Sequence, residues 1–342
     1  MRIIAISAAA FCVLAGPALA ADEGKGIVLT PKYFEPGSGT GQQSGLGFSY
    51  RIDKTVATPA ARQELSQESF HKLDLDFKAE GNVAFNRDIN PSDFLKTGLE
   101  LNYVYQYASA VTLGGPGSGC DPTDPPTLPQ CREEAARSRS GDALVLFTGL
   151  VGSLESDQRF DRRNETFGAH LTTVYRPAPG SFVNQANPLD WPFRLVRWLT
   201  GHPMGLTAST DAFPKLRLAL ERVKPDKDPD RVALLGSTPD YNRGNIELAM
   251  SSPVGVVQGR QVKFEWSWRY FKEQNPAAAI EAAGLDRYRY AASTLRLDSG
   301  WQLTYATGRL PLDRQSDAVW ELGYRVEFDL GGVAACAPAR SA

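Results

Sequence analysis

The chain has 342 residues, 37 basic and 39 acidic, with a formal net charge of −2. So even a balance excludes the electrostatic footprint of a nucleic-acid binder and steering by net charge. About 320 residues remain beyond an apolar leader, enough for two ordinary domains or one large β-barrel.

The leader MRIIAISAAAFCVLAGPALA (1–20) reads as a secretory signal peptide. Arg2 supplies the positive end, an apolar run follows, and Ala18-Leu19-Ala20 forms a small-residue cleavage site. Cys12 lies inside the apolar run, not behind a cleavage triplet, so lipidation is not expected. No later stretch approaches the roughly 18 uninterrupted apolar residues of a transmembrane helix. The expected organisation is a signal peptide over 1–20, one β-domain over 21–330 and a tail over 331–342.

Downstream, period-2 alternation recurs from residue 24 to residue 330. Segments 24–34 and 44–53 place Ile27, Leu29 and Tyr33, then Leu46, Phe48, Tyr50 and Ile52, on one face. HKLDLDFKAEG (71–81) sets Leu73, Leu75 and Phe77 against Asp74, Asp76, Lys78 and Glu80. GLELNYVYQYA (98–108) sets Leu99, Leu101, Tyr103, Tyr105 and Tyr107 against Glu100 and Asn102. Segment 142–156 is apolar on both faces, whereas 164–176 alternates around Phe167, Leu171 and His170. PKLRLALER (214–222) gives Arg217 and Glu221 a common face, and NIELAMS (245–251) follows. QVKFEWSWRYFKEQ (261–274) sets Phe264, Trp266, Trp268 and Tyr270 against Lys263, Glu265 and Arg269. In DRYRYAAST (286–294) the charges are Arg287 and Arg289; WQLTYATGR (301–309) comes after a tight turn. The final segment, AVWELGYRVEFDL (318–330), sets Trp320, Leu322, Tyr324 and Phe328 against Glu321, Arg325 and Glu327.

These are about twelve strands, 12 ± 2, most of them near the roughly 9–11 residues a tilted strand needs to cross a bilayer and longer than the mode of 5–6 in soluble proteins. Their polar faces carry balanced charge. In a soluble sandwich that face would be the wet exterior; in a membrane barrel it is the lumen. The aromatic residues favour the barrel, since Tyr and Trp suit a headgroup boundary better than a core needing a partner for every indole N–H. Tyr103, Tyr105, Tyr107, Trp266, Trp268, Tyr270, Trp301, Trp320, Tyr324 and Phe328 are the expected aromatic girdle. Lumen-lining candidates are Asp74, Asp76, Lys78, Glu80, Glu100, Arg217, Glu221, Lys263, Glu265, Arg269, Arg287, Arg289, Glu321, Arg325 and Glu327. Acids crowd the N-terminal half and arginines the C-terminal half, which predicts an acidic wall facing a basic one.

The last strand resembles the C-terminal signature of Gram-negative outer-membrane β-barrel proteins, an alternating apolar strand with an aromatic near its end. That resemblance implies an all-β, closed, up-and-down antiparallel transmembrane barrel, contacting outer-membrane lipid and the assembly machinery. Such a barrel keeps short turns at the end that carries both termini. Here the strand assignment puts the long connections 112–140 and 179–212 at that end. Either a strand before residue 112 is miscounted or the barrel carries unusual elements there.

Three stretches remain. Cys120 and Cys131 flank a Pro/Gly-rich loop and are expected to form a disulfide, as no CxxC or nearby His suggests a metal. NPLDWPFRLVRWLTG (187–201) is the one helical signal, with Trp191, Leu195 and Trp198 on one face. It fits an interfacial helix, a lumen plug or a helix on the barrel rim. The three histidines allow a catalytic arrangement only around His170, with Thr172 and Glu165. No cofactor or metal is expected. The sequence points first to a channel passing or binding a small polar solute, then to a non-conducting assembly barrel, and last to an acyl hydrolase.

Overall fold

A computed structural model describes residues 26–36, 44–66, 69–85, 93–108, 142–178, 181–313 and 317–329. The leader, the Cys120 and Cys131 loop and the tail lie outside these. The strands are β1 (Gly26–Pro36), β2 (Gly45–Ser66), β3 (Ser69–Ala84), β4 (Leu95–Ala108), β5 (Ala143–Ser156) and β6 (Arg163–Arg176). They continue as β7 (Lys215–Lys227), β8 (Tyr241–Val257), β9 (Arg260–Gln274), β10 (Arg287–Leu297) and β11 (Trp301–Gly308). A last strand is broken only at Arg325 into β12 (Asp317–Tyr324) and β13 (Val326–Asp329). Each strand pairs antiparallel with its chain neighbour, and β1 pairs with both β12 and β13, closing a twelve-stranded up-and-down barrel. Closure leaves no edge with unpaired backbone groups.

Burial is inverted relative to a soluble protein. Outward residues such as Leu46, Leu99, Leu150, Phe167, Leu220 and Trp320 are exposed, while Asp74, Asp76, Glu100, Glu155, Glu221, Arg243 and Glu321 are buried inside. Apolar side chains outward and charge inward is what lipid outside and a polar lumen demand. A few apolar residues do turn inward. Phe34, Ala84 and Val319 form one small cluster, and Phe94, Phe271 and Leu310, with Tyr288 and Tyr290 against them, form another. Both sit at the end of the barrel away from the termini, called distal below.

Gly26 and Asp329 are paired, so both termini leave from one end, called proximal. Two proximal turns are tight. Gln258 and Gly259 both take positive φ (51° and 77°), as a two-residue hairpin turn requires. Gly300 (φ 98°) closes the turn from β10 to β11. The two long connections, 109–142 and 177–214, are proximal as well. Among the described residues twelve strands are present, four of them before residue 112, and the strand order puts both long connections at the proximal end. β2 also exceeds its expected end at Asp53 and runs to Ser66 against β3, with several register shifts. The non-alternating stretch 54–66 concealed that extension.

Four short helices complete the described residues: α1 (Phe182–Gln185), α2 (Trp191–Leu199), α3 (Pro229–Leu235) and α4 (Ala278–Ala282), with a 3-10 turn at Thr210–Ala212. Helices α1 and α2 are in the proximal connection from β6 to β7; α3 and α4 are in distal loops.

Candidate functional site: the charged lumen

Alternation places Asp74, Asp76, Lys78 and Glu80 of β3, Glu100 of β4, Arg217 and Glu221 of β7, and Lys263, Glu265 and Arg269 of β9 on the inner face. Glu321, Arg325 and Glu327 lie on the inner side of the last strand, Arg325 and Glu327 beside Lys263 and Arg296 at the proximal mouth. Arg287 and Arg289 are the exceptions. They pair with Lys272 and Tyr270 on the outer face, and Arg289 sits 5.5 Å from the Tyr270 ring centroid. Tyr288 and Tyr290 turn inward instead, against Phe271. At the distal rim a guanidinium can reach water from the outer wall, while two phenol rings fill space inside.

All ten expected girdle residues are on the outer face, but they form stripes along β4, β9, β11 and the last strand. Trp266, Trp268 and Tyr270 are successive outward positions of one strand, and Trp268 stacks on Tyr270 at 5.9 Å. Trp301 meets Tyr324 at 5.3 Å; Tyr305 meets Trp320 at 4.8 Å.

Inside, ion pairs join both neighbouring strands and strands far apart in the barrel. Arg269 donates to Glu80 at 2.9 Å, from β9 to β3, half a circuit apart. Arg217 donates to Glu100 at 2.7 Å, and Lys78 donates to the same carboxylate at 2.7 Å. Toward the distal end, Arg243 bridges Glu155 (2.7 and 3.0 Å) and Glu221 (2.7 Å), with Lys96 3.4 Å from Glu155. Arg243, Glu155 and Glu221 are buried, so each must be neutralised by its partners. The N-terminal acids and C-terminal arginines thus meet across the lumen.

On the proximal side of that lattice is a cavity of about 230 Å³. Its charged lining is Arg51, Lys78, Lys96, Lys215, Arg217 and Arg269 against Asp53, Glu80, Glu100 and Glu247. Among the described residues Lys215 has no ion pair. Arg51, Asp53 and Glu247 alternate onto the polar face of their segments in the sequence; Lys215 is a charged lining residue that the sequence reading left out. Its alternation with Arg217 was the available signal.

A second polar chain runs from Asp76, which accepts from the Asn102 amide at 2.9 Å, to His170, whose Nε2 is 2.9 Å from Asn102 Oδ1. The contact from β6 to β4 passes over Gly149 of β5. Thr172 is also on the inner face, but Glu165 is on the outer face, bonded by Lys224 at 3.1 Å. Glu165 therefore cannot serve His170, and the catalytic arrangement drawn from the sequence does not assemble. Helix α2 is outside the lumen, which removes the plug reading. It packs on β8 at Ser252 and Pro253, and Phe193 meets outward-facing Phe264 at 5.0 Å. Among the described residues no group of three or more His, Cys, Asp or Glu side chains could hold a metal.

A closed, inside-out, up-and-down barrel with a charged lumen defines the outer-membrane β-barrel class. No protein-family model and no curated protein matches the chain. Among solved structures it is similar to the NanC porin at 8% identity and a TM-score of 0.33, covering 88% of this chain and 99% of that one. It is also similar to Salmonella typhi OmpF in complex with daunomycin, at 6% identity and a TM-score of 0.30, covering 88% and 97%. The translocator domain of the autotransporter NalP from Neisseria meningitidis matches at 9% and 0.24, covering 89% of each chain. Likeness at this level extends to barrel architecture and carries nothing about substrate.

Proposed function

We propose that the protein is an outer-membrane channel whose lumen takes up small anionic solutes. The observation that carries this reading is the lumen cavity, where six cationic side chains face four carboxylates and Lys215 is without an ion pair among the described residues. Charge of one sign on low-dielectric walls concentrates the opposite ion and selects by electrostatics at short range. A cavity of about 230 Å³ has room for a small organic anion with a few waters. The test is reconstitution in planar bilayers under a salt gradient. A conducting pore with a reversal potential on the anion side supports the reading; a cation-selective pore overturns it.

A second reading, a non-conducting barrel whose proximal elements contact partners, is favoured by the buried lattice of Arg243, Glu155 and Glu221. It predicts silence in the same bilayers. In either case the protein fractionates with the outer membrane and runs with heat-modifiable mobility.

A further inference from the structure

The connection between β6 and β7 repeats, in miniature, the inverted construction of the wall beside it. Trp191, Leu195, Trp198 and Leu199 of α2, spaced i, i+4, i+7 and i+8, are 57%, 55%, 59% and 68% exposed. The side facing the barrel is ionic. Asp190 accepts from Arg197 at 2.9 and 3.1 Å, from the Ser252 hydroxyl at 2.7 Å and from the Ser209 amide at 2.9 Å. Arg197 also donates to the carbonyls of Gly205, Thr207 and Pro253. Both side chains are completely buried.

A helix bathed in water is expected to do the reverse, hiding leucine and tryptophan and wetting its charges. Beside lipid the observed arrangement is the stable one. Polar groups there must be satisfied within the protein, and a buried ion pair is tolerated only when its remaining donors and acceptors are used. Asp190 and Arg197 meet that condition.

The seat sets the level. Ser252 and Phe264 pair on the outer face, near the proximal ends of β8 and β9. Thr200 lies so close to Gly255 that a Cβ there would come within 2.5 Å of its hydroxyl. Phe193, on the other side of α2 from the ridge, meets the outward Phe264, so the helix sits against the wall's proximal edge with its apolar ridge turned away from the barrel.

We propose that residues 181–213 form a foot lying in the headgroup–acyl boundary of the membrane on the proximal side, with its ridge against lipid chains. Tryptophan suits that depth, and Trp191 and Trp198 anchor it. The foot fixes how deeply the barrel sits and gives a long proximal connection a lipid-bound role. This rests on the barrel spanning a membrane.

The test is tryptophan quenching in proteoliposomes, using lipids brominated near the headgroup end or near the centre of the chain. The wild type is compared with Trp191→Phe/Trp198→Phe, a pair of conservative changes that keeps the ridge apolar. Shallow-brominated lipid is expected to quench the wild type more, and the double variant to lose roughly a third of that quenching, two of six tryptophans. Superimposable quenching of the two proteins, or a lost component reached by aqueous iodide instead, overturns the foot while leaving the barrel intact. A wild type that fails to integrate, judged by absent heat-modifiable mobility, overturns the membrane reading and the foot with it.

Discussion

Arg269 and Glu80 meet at 2.9 Å although their strands, β9 and β3, stand half a circuit apart in the barrel. Two side chains that touch from opposite walls form a bar across the lumen, so local charge and aperture depend on the same contact.

Removing the bar separates its two effects. Both side chains are partly exposed to the lumen, 26% and 37%, so solvent screens the pair. A double-mutant cycle with Arg269→Gln and Glu80→Gln is expected to give a coupling of about 1 kcal/mol in unfolding. Single-channel conductance is expected to rise when both positions are serine, because the obstruction shortens while net charge stays the same. Unchanged conductance in the serine pair would place the constriction elsewhere.

Lys215 tests the selectivity directly. Lys215→Glu changes the cavity's lining from six cations and four acids to five of each. The anion preference should then vanish, with the reversal potential moving toward zero under a salt gradient. The shift should be large near 0.1 M salt, where the Debye length is about 10 Å, and small near 1 M, where it is about 3 Å. A variant that remains as anion-selective as the wild type at low salt would remove Lys215 from the selecting set.

The barrel was legible in the sequence because its evidence is periodic. Two faces of opposite polarity over strands of bilayer length produce a pattern that chain order alone preserves. Arg287 and Arg289 fail that rule, since it assumes that charge points inward at every level. At the distal rim the Tyr288 and Tyr290 rings pack inside against Phe271, and the arginines reach water from the outer wall. Pairings such as Arg269 with Glu80 were not legible, because they depend on which walls approach each other after closure. Composition suggested an acidic and a basic wall; only geometry makes the two walls meet. The place of α2 was also hidden, as an amphipathic helix reads the same whether it plugs a lumen or lies on an outer wall.

Gly149 permits a contact that spans three strands. His170 of β6 reaches Asn102 of β4 directly across it, and a Cβ at Gly149 would fall 1.8 Å from the Leu101 carbonyl oxygen. Gly149→Val should therefore separate His170 from Asn102 and strain the ladder of β4 and β5, costing about 1–3 kcal/mol. Thermal unfolding of the reconstituted barrel would measure the loss. Gly152→Val provides the control, because a Cβ there meets only Phe167 at 3.9 Å. Equal effects of the two substitutions would show that the His170 contact adds nothing.

The foot should loosen with acid in two separate steps. His202 is buried, and its Nδ1 accepts from the Met204 amide at 3.1 Å. Burial, and then the Arg197 charge, hold its pKa below the ordinary 6.5. An unfolded foot therefore binds a proton near pH 6 that the folded foot refuses. Stability contributed by neutral His202 is whole above about pH 6.5 and falls as pH drops below it. Asp190 behaves differently. Burial pushes its carboxyl up, but hydrogen bonds from Arg197, the Ser209 amide, Ser252 and Arg194 outweigh that and hold it below 3.8. Its contribution is present above that value and is lost only as pH falls through the lowered one. Hydrogen exchange of residues 190–209, corrected for the intrinsic rate, should lose protection first as pH falls below about 6.5 and again in stronger acid. In His202→Asn, whose amide oxygen can still accept from Met204, the first loss should disappear and the second remain. A first step that persists in this variant would assign the acid sensitivity to another group.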